Sequence, residues 1–185
     1  VDLLESKNIP WKVYAGDYPG SCYLSAGMGN YKRYRVPFLS LASVQSDRYL
    51  CAKVQGFQSL MDDLQFGATP QMSIVIPHIK DAGTAGGATG AYSADLALRK
   101  ILEPLVNAPE EFARMTIIIS TMNMVDPAKT GFAMIFGNKV NTNGTTSAVA
   151  INHYSILRTI EEGLRLGSLN QLDATAAPII DIWKP

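Results

Sequence analysis

Residues Phe57–Pro77 read FQSLMDDLQFGATPQMSIVIP, and the change of period within them decides the fold class. Phe57, Leu60, Met61 and Leu64 fall at i, i+3, i+4 and i+7, one face of an amphipathic helix. Gly67 and Pro70 end it. Met72–Ile76 is then a short apolar run, read as a strand stopped by Pro77. The alternation continues outward. Upstream, Trp11–Ala15 reads as a short strand after a helix end at Leu3–Lys7 and a break at Ile9 and Pro10. Downstream, Tyr92–Leu105 reads as a second helix, with Leu96, Leu98, Ile101, Leu102 and Leu105 supplying a broad apolar face. Thr116–Ser120 and Phe132–Phe136 are nearly continuous apolar runs, the pattern of central strands covered on both faces. Tyr154–Leu164 closes the series as a helix with Ile156, Leu157, Ile160 and Leu164 turned inward. This order argues an α/β layered sheet with flanking helices. Ligands in such sheets gather at the carboxyl ends of strands, which here are Pro77–Thr84 and Thr121–Asn123.

With 185 residues, 47% of them hydrophobic, the chain is long enough for one sizeable core. No repeat or low-complexity linker divides it, so residues 1–185 are read as a single domain portion with an irregular excursion at about 16–50. Sixteen basic residues balance sixteen acidic ones, which argues against nucleic acid as a partner. No run of about 18 apolar residues exists, so no membrane span is expected. The opening VDLLESKNIPWK lacks the basic-then-apolar order of a signal peptide. The expectation is a signal already removed, or Val1 as a processing point in a longer chain. Cys22 and Cys51 are either a disulfide or two buried thiols. Asn143 opens the one N-glycosylation sequon.

Several ordered stretches resemble one family. Ile151–Leu169, INHYSILRTIEEGLRLGSL, resembles the C-terminal signature T/N-H-Y-S-(L/I)-L-R-T-(I/V)-E…LGSL of the secreted phosphoesterases. That family holds acid phosphatases and phospholipase-C-type enzymes of the alkaline-phosphatase-like superfamily. Residues 3–14 resemble its D-L-L-E-x-x-G-I-S-W-K-V-Y, residues 30–38 its N-Y-A-R-K-H-N-P-F, and residues 69–77 its L-P-Q-(F/Y)-S-F-(I/V)-T-P. The cysteines match P-x-x-x-x-C-(F/Y) and R-C-A-x-(I/V), the second with a small insertion. The resemblance therefore implies a Cys22–Cys51 disulfide, an extracellular compartment, and a chain corresponding to the C-terminal half of the fold.

The departures fall where the chemistry belongs. The family ends a buried strand with T-(F/W)-D-E at its metal site; here those last two positions are Met122 and Asn123. After T-P it continues N-(L/M)-x-N-D-(G/M)-H-D, whereas this chain reads Pro77-His-Ile-Lys-Asp-Ala-Gly-Thr84. Counting from Pro77 puts Ala82 and Thr84 at the Asp and His positions; a one-residue deletion keeps Asp81 and puts Gly83 in place of the His. His78 stands too early to replace that histidine without remodelling the loop. The relic positions are thus Asp81, Thr84, Met122, Asn123 and His153, with no confident catalytic residue. A phosphoester hydrolase of this kind uses a divalent metal held by carboxylates and imidazole. Met offers only a soft thioether and Asn no charge, so no metal is expected. No Gly-x-Ser-x-Gly elbow or His-Glu-x-x-His motif occurs.

Gly83–Gly90 has neither P-loop nor dinucleotide spacing and is expected to be a flexible substitute loop. His153 is expected to hydrogen-bond structurally at a helix start. Lys32, Arg33 and Arg35, interleaved with Tyr31 and Tyr34, are expected to be a solvated loop. Met115, Met122, Met124 and Met134 are expected to fill core. The expected function is that of a secreted, catalytically inactive phosphoesterase-like protein serving binding or assembly. The alternative is a metal-dependent acid phosphatase or phospholipase-C-like enzyme completed by an N-terminal chain. Open strand edges imply a companion chain of the same precursor, or self-association.

Overall fold

A computed structural model describes residues 1–83, 86–121, 132–141, 147 and 150–184. The chain divides into two compact units, Val1–Asn107 and Ala108–Pro185.

The first unit opens with α1 (Asp2–Ser6), β1 (Trp11–Ala15) and a small antiparallel hairpin of β2 (Gly27–Met28) and β3 (Tyr31–Lys32). Two 3-10 turns, Arg33–Arg35 and Pro37–Ser40, lead to α2 (Ala42–Ser46) and α3 (Arg48–Ala52). Then follow β4 (Val54–Gly56), α4 (Phe57–Gln65), β5 (Met72–Ile76), a 3-10 turn at Ile79–Asp81 and α5 (Gly87–Val106). The sheet has the order β4-β1-β5, all parallel, with Trp11 opposite Met72 and Ala15 opposite both Ile76 and Gly56. Parallel strands joined through a helix, as β4 and β5 are through α4, give the layered α/β arrangement expected from the periodicity.

The strand buried on both faces is β1, whose Trp11, Val13, Tyr14 and Ala15 are buried. Lys12 and Tyr14 lie two residues apart and so share a face; both bond Asp63 Oδ2 of α4, at 2.5 Å each. Burial, and then the Asp63 carboxylate, push the Tyr14 phenol well above its ordinary range. The excursion at 16–50 is more than surface. Tyr31, Val36, Leu39 and Val44 in it are fully buried, because its short turns fold these side chains into the core. The Cys22–Cys51 disulfide closes it, with Cα atoms 5.5 Å apart.

This unit departs from the sequence reading at β4, in the Gly-rich stretch and in α5. β4, three residues long, carries no period and was not foreseen. β5 has one strand neighbour among the described residues and is mostly half-buried. The Gly-rich stretch is helical from Gly87, so its second half is the first turn of α5. Leu96, assigned to the inner face of that helix, is 41% exposed while Ala97 and Leu105 are buried.

The second unit contains α6 (Pro109–Phe112), β6 (Thr116–Ser120), β7 (Ala133–Gly137) and α7 (His153–Gly163). β6 and β7 pair antiparallel, Thr116 opposite Gly137 and Ser120 opposite Ala133. Val140, Ile179 and Ile182 form its core with Ile135, Ile156 and Trp183 against them. The apolar runs here are also half-exposed: Phe132 precedes the strand at 55% exposure, and Met134 is 45% exposed, so it is not core filler. A continuous apolar run records how much a strand can bury; the neighbours present decide how much it does.

α7 starts with a capping box, Asn152 accepting from Ser155 N–H at 3.0 Å while Ser155 Oγ accepts from Asn152 N–H at 3.4 Å. Asn152→Ala is expected to cost about 1 kcal/mol, read as a shift of the urea midpoint without a change of slope.

Candidate functional site

In the first unit the carboxyl ends of β1 and β5 meet. The ladder runs one residue beyond the strand, Gly16 N–H donating to Ile76 O at 2.8 Å. At Gly16 a Cβ would lie 2.3 Å from His78 N, so only glycine permits this approach. Asp17 follows with φ 63°, a left-handed conformation that Asp tolerates better than most residues. It turns the carboxylate back onto the end of β5. Oδ2 accepts from Ile79 N–H at 2.8 Å, and Oδ1 lies 3.1 Å from His78 Nδ1. Asp17 N–H also points at His78 Nδ1, at 3.1 Å. A neutral Nδ1 accepts from that N–H; a protonated one donates to Oδ1.

Burial opposes ionisation of Asp17. The Ile79 N–H, the His78 hydrogen bond and the His78 and Arg35 charges outweigh it and hold the carboxyl below its ordinary value. Arg35 reaches the same strand end, donating weakly from Nη2 to Pro77 O at 3.4 Å. The Phe57 ring lies 5.2 Å from the His78 ring, centroid to centroid.

Asp81 ends the 3-10 turn after His78, half-buried, its N–H donating to His78 O. His153 belongs to the second unit, exposed, with Nε2 2.8 Å from Thr121 O. A carbonyl only accepts, so Nε2 carries the proton and the ring ties the start of α7 to the end of β6. The helix cap itself is Asn152; His153 makes its structural hydrogen bond at the helix start, beside that cap. Thr84, Met122, Met124, Asn123 and the sequon Asn143 lie outside the described residues. The basic cluster is not one solvated loop: Arg33 Nη1 donates to Leu24 O at 2.6 Å, Arg35 reaches Pro77, and Tyr31 between them is buried. A cleft of about 470 Å³ opens elsewhere, lined among others by Cys22, Arg48, Gln55 and Ser59.

Asp17 was missed in the sequence. Its signal was positional: a Gly-Asp pair directly after a strand, where an α/β sheet places its ligands.

The sequence profile of the Phosphoesterase family matches residues 1–121. The chain belongs to the phosphoesterase family. Over 95% of its length it is similar to the phosphate-repressible acid phosphatase of Penicillium chrysogenum, at 26% identity and covering 44% of that protein. It is likewise similar to an acid phosphatase of Aspergillus fumigatus, at 25% identity over 95% of this chain and 41% of the relative. A probable acid phosphatase of Kluyveromyces lactis aligns at 23% identity, over 95% and 44% of the two chains. The chain thus spans less than half the length of these relatives.

The divalent metal that the family implies would need donors converging on one point. A hard cation needs several anionic or neutral oxygen donors. Among the described residues no group of three or more His, Cys, Asp or Glu side chains converges to hold one, and the Asp17 carboxylate is engaged by Ile79 N–H and His78.

Proposed function

We propose that this phosphoesterase-family chain has lost metal-dependent phosphoester hydrolysis and retains the fold for binding or structural assembly. The observation that carries the reading is Met122–Asn123 at the positions where the family motif holds Asp-Glu. The loss of that pair removes two negative charges from a site whose cation must offset phosphoryl charge. The engagement of Asp17 with Ile79 and His78 supports it, since that carboxylate answers to the protein's own groups.

Residues 1–185 are, on this reading, one portion of a larger phosphoesterase domain of a secreted protein, glycosylated at Asn143. Half-exposed β5, β6 and β7 then bury their edges against a companion part of the same precursor, or against copies of the chain. Sedimentation of the natively purified chain is expected to show a complex; an isolated soluble monomer would contradict this.

The second reading, a working acid phosphatase, is favoured by the similarity to three acid phosphatases over 95% of the chain. Turnover of a generic phosphomonoester separates the two. The inactive reading expects none above background, and chelator-sensitive turnover would establish the enzyme.

A further inference from the structure

Glu161 lies on α7 where the chain returns along it. Its side chain is 1% exposed, and neither Oε1 nor Oε2 has a hydrogen-bond partner. The charged groups facing it come from two elements. Arg158, one turn earlier, holds Nη1 3.8 Å from Oε2, too long for a hydrogen bond, and gives its Nε to Glu162 at 3.1 Å. Asp173, from the segment after the helix, is also 1% exposed, and its charge acts on the Glu161 carboxyl. The local N–H donors go to Asp173: Leu169 to Oδ2 at 2.6 Å and Gln171 to Oδ1 at 2.9 Å. One buried carboxylate is therefore fully served, while its neighbour accepts no hydrogen bond of ordinary geometry.

An ionised carboxylate without donors, beside another in low dielectric, is among the costliest arrangements in a protein. Protonation of Glu161 removes the charge and turns an orphaned acceptor into a donor aimed at Asp173. We propose that Glu161 and Asp173 share one proton, forming a carboxyl–carboxylate hydrogen bond that clamps the segment 165–176 onto α7 and opens when rising pH removes the proton. The clamped segment includes Arg165 and Asn170 at φ 55° and 57°, conformations that persist only when their surroundings hold them. Arg165 N–H to Glu162 O, at 3.1 Å, and Leu166 N–H to Glu161 O, at 2.8 Å, also tie it to the helix.

The direction of the pH dependence follows. Burial and the Asp173 charge push the Glu161 carboxyl up, against the Arg158 charge and the Leu169 N–H. Burial opposes ionisation of Asp173, but the N–H groups of Leu169 and Gln171 hold it below its ordinary value. A raised carboxyl stabilises the fold below its unfolded-state value, and the contribution is lost as pH rises through the folded-state value. Asp173 does the reverse, its contribution failing as pH falls through its own lowered value. The clamp is closed between those limits, and its alkaline limb belongs to Glu161.

Glu161→Gln supplies a neutral donor at every pH. Thermal unfolding of the intact protein is expected to fall by about 5 °C as pH rises through the raised Glu161 value in the native sequence, and to lose that slope in the variant. Infrared spectra of the native protein below that raised value should show a protonated-carboxyl band that the variant lacks. Parallel pH profiles would overturn the proposal. So would absence of the band from the native protein, a reading that stands even if the variant does not fold.

Discussion

Gly16→Ala is expected to destabilise the first unit by about 3 kcal/mol, at the upper end for overpacking. The added Cβ would meet His78 N at 2.3 Å, His78 Cα at 2.6 Å and Pro77 C at 2.7 Å. All three are backbone atoms flanking a parallel ladder, so no side-chain rotation relieves the contact. Separation of the strand ends would also break Gly16 N–H to Ile76 O and move His78 from Asp17. The measurement is a urea unfolding curve, with the His78 ring resonances as a local reporter. Unchanged stability together with unchanged resonances would mean that the two strand ends do not meet as described.

Reduction of the Cys22–Cys51 disulfide is expected to cost about 3.5 kcal/mol on the chain-entropy account, from its separation of 29 residues. The bridge fastens the whole excursion, with its buried Tyr31, Val36, Leu39 and Val44, to α3. Cys51 is itself fully buried, so a Cys51→Ala variant adds a small packing loss to the entropic one. Unfolding with and without reductant measures the effect. Equal midpoints would contradict it, as would peptide mapping that recovers both cysteines as free thiols.

The helices and strands with strong period were legible. Phe57, Leu60, Met61 and Leu64 mark α4 because an amphipathic helix writes its buried face into its spacing. Burial was less legible, since it depends on neighbours: Met134 and Leu96 are apolar in the right places yet exposed. The excursion hid its core residues because Tyr31, Val36, Leu39 and Val44 sit in short turns that follow no period. The site was the least legible part. Asp17 and His78 are 61 residues apart, and only the parallel pairing of β1 with β5 brings them together. Glu161 reads in the sequence as one more charge on a helix; its burial against Asp173 comes from the return of the chain after α7.

The central claim, a phosphoesterase framework without its metal chemistry, is tested most directly by elemental analysis of the natively purified protein, paired with phosphomonoester turnover before and after chelation. The account predicts no stoichiometric divalent metal and no turnover that a chelator abolishes. A full equivalent of metal, lost together with activity on chelation, would contradict it.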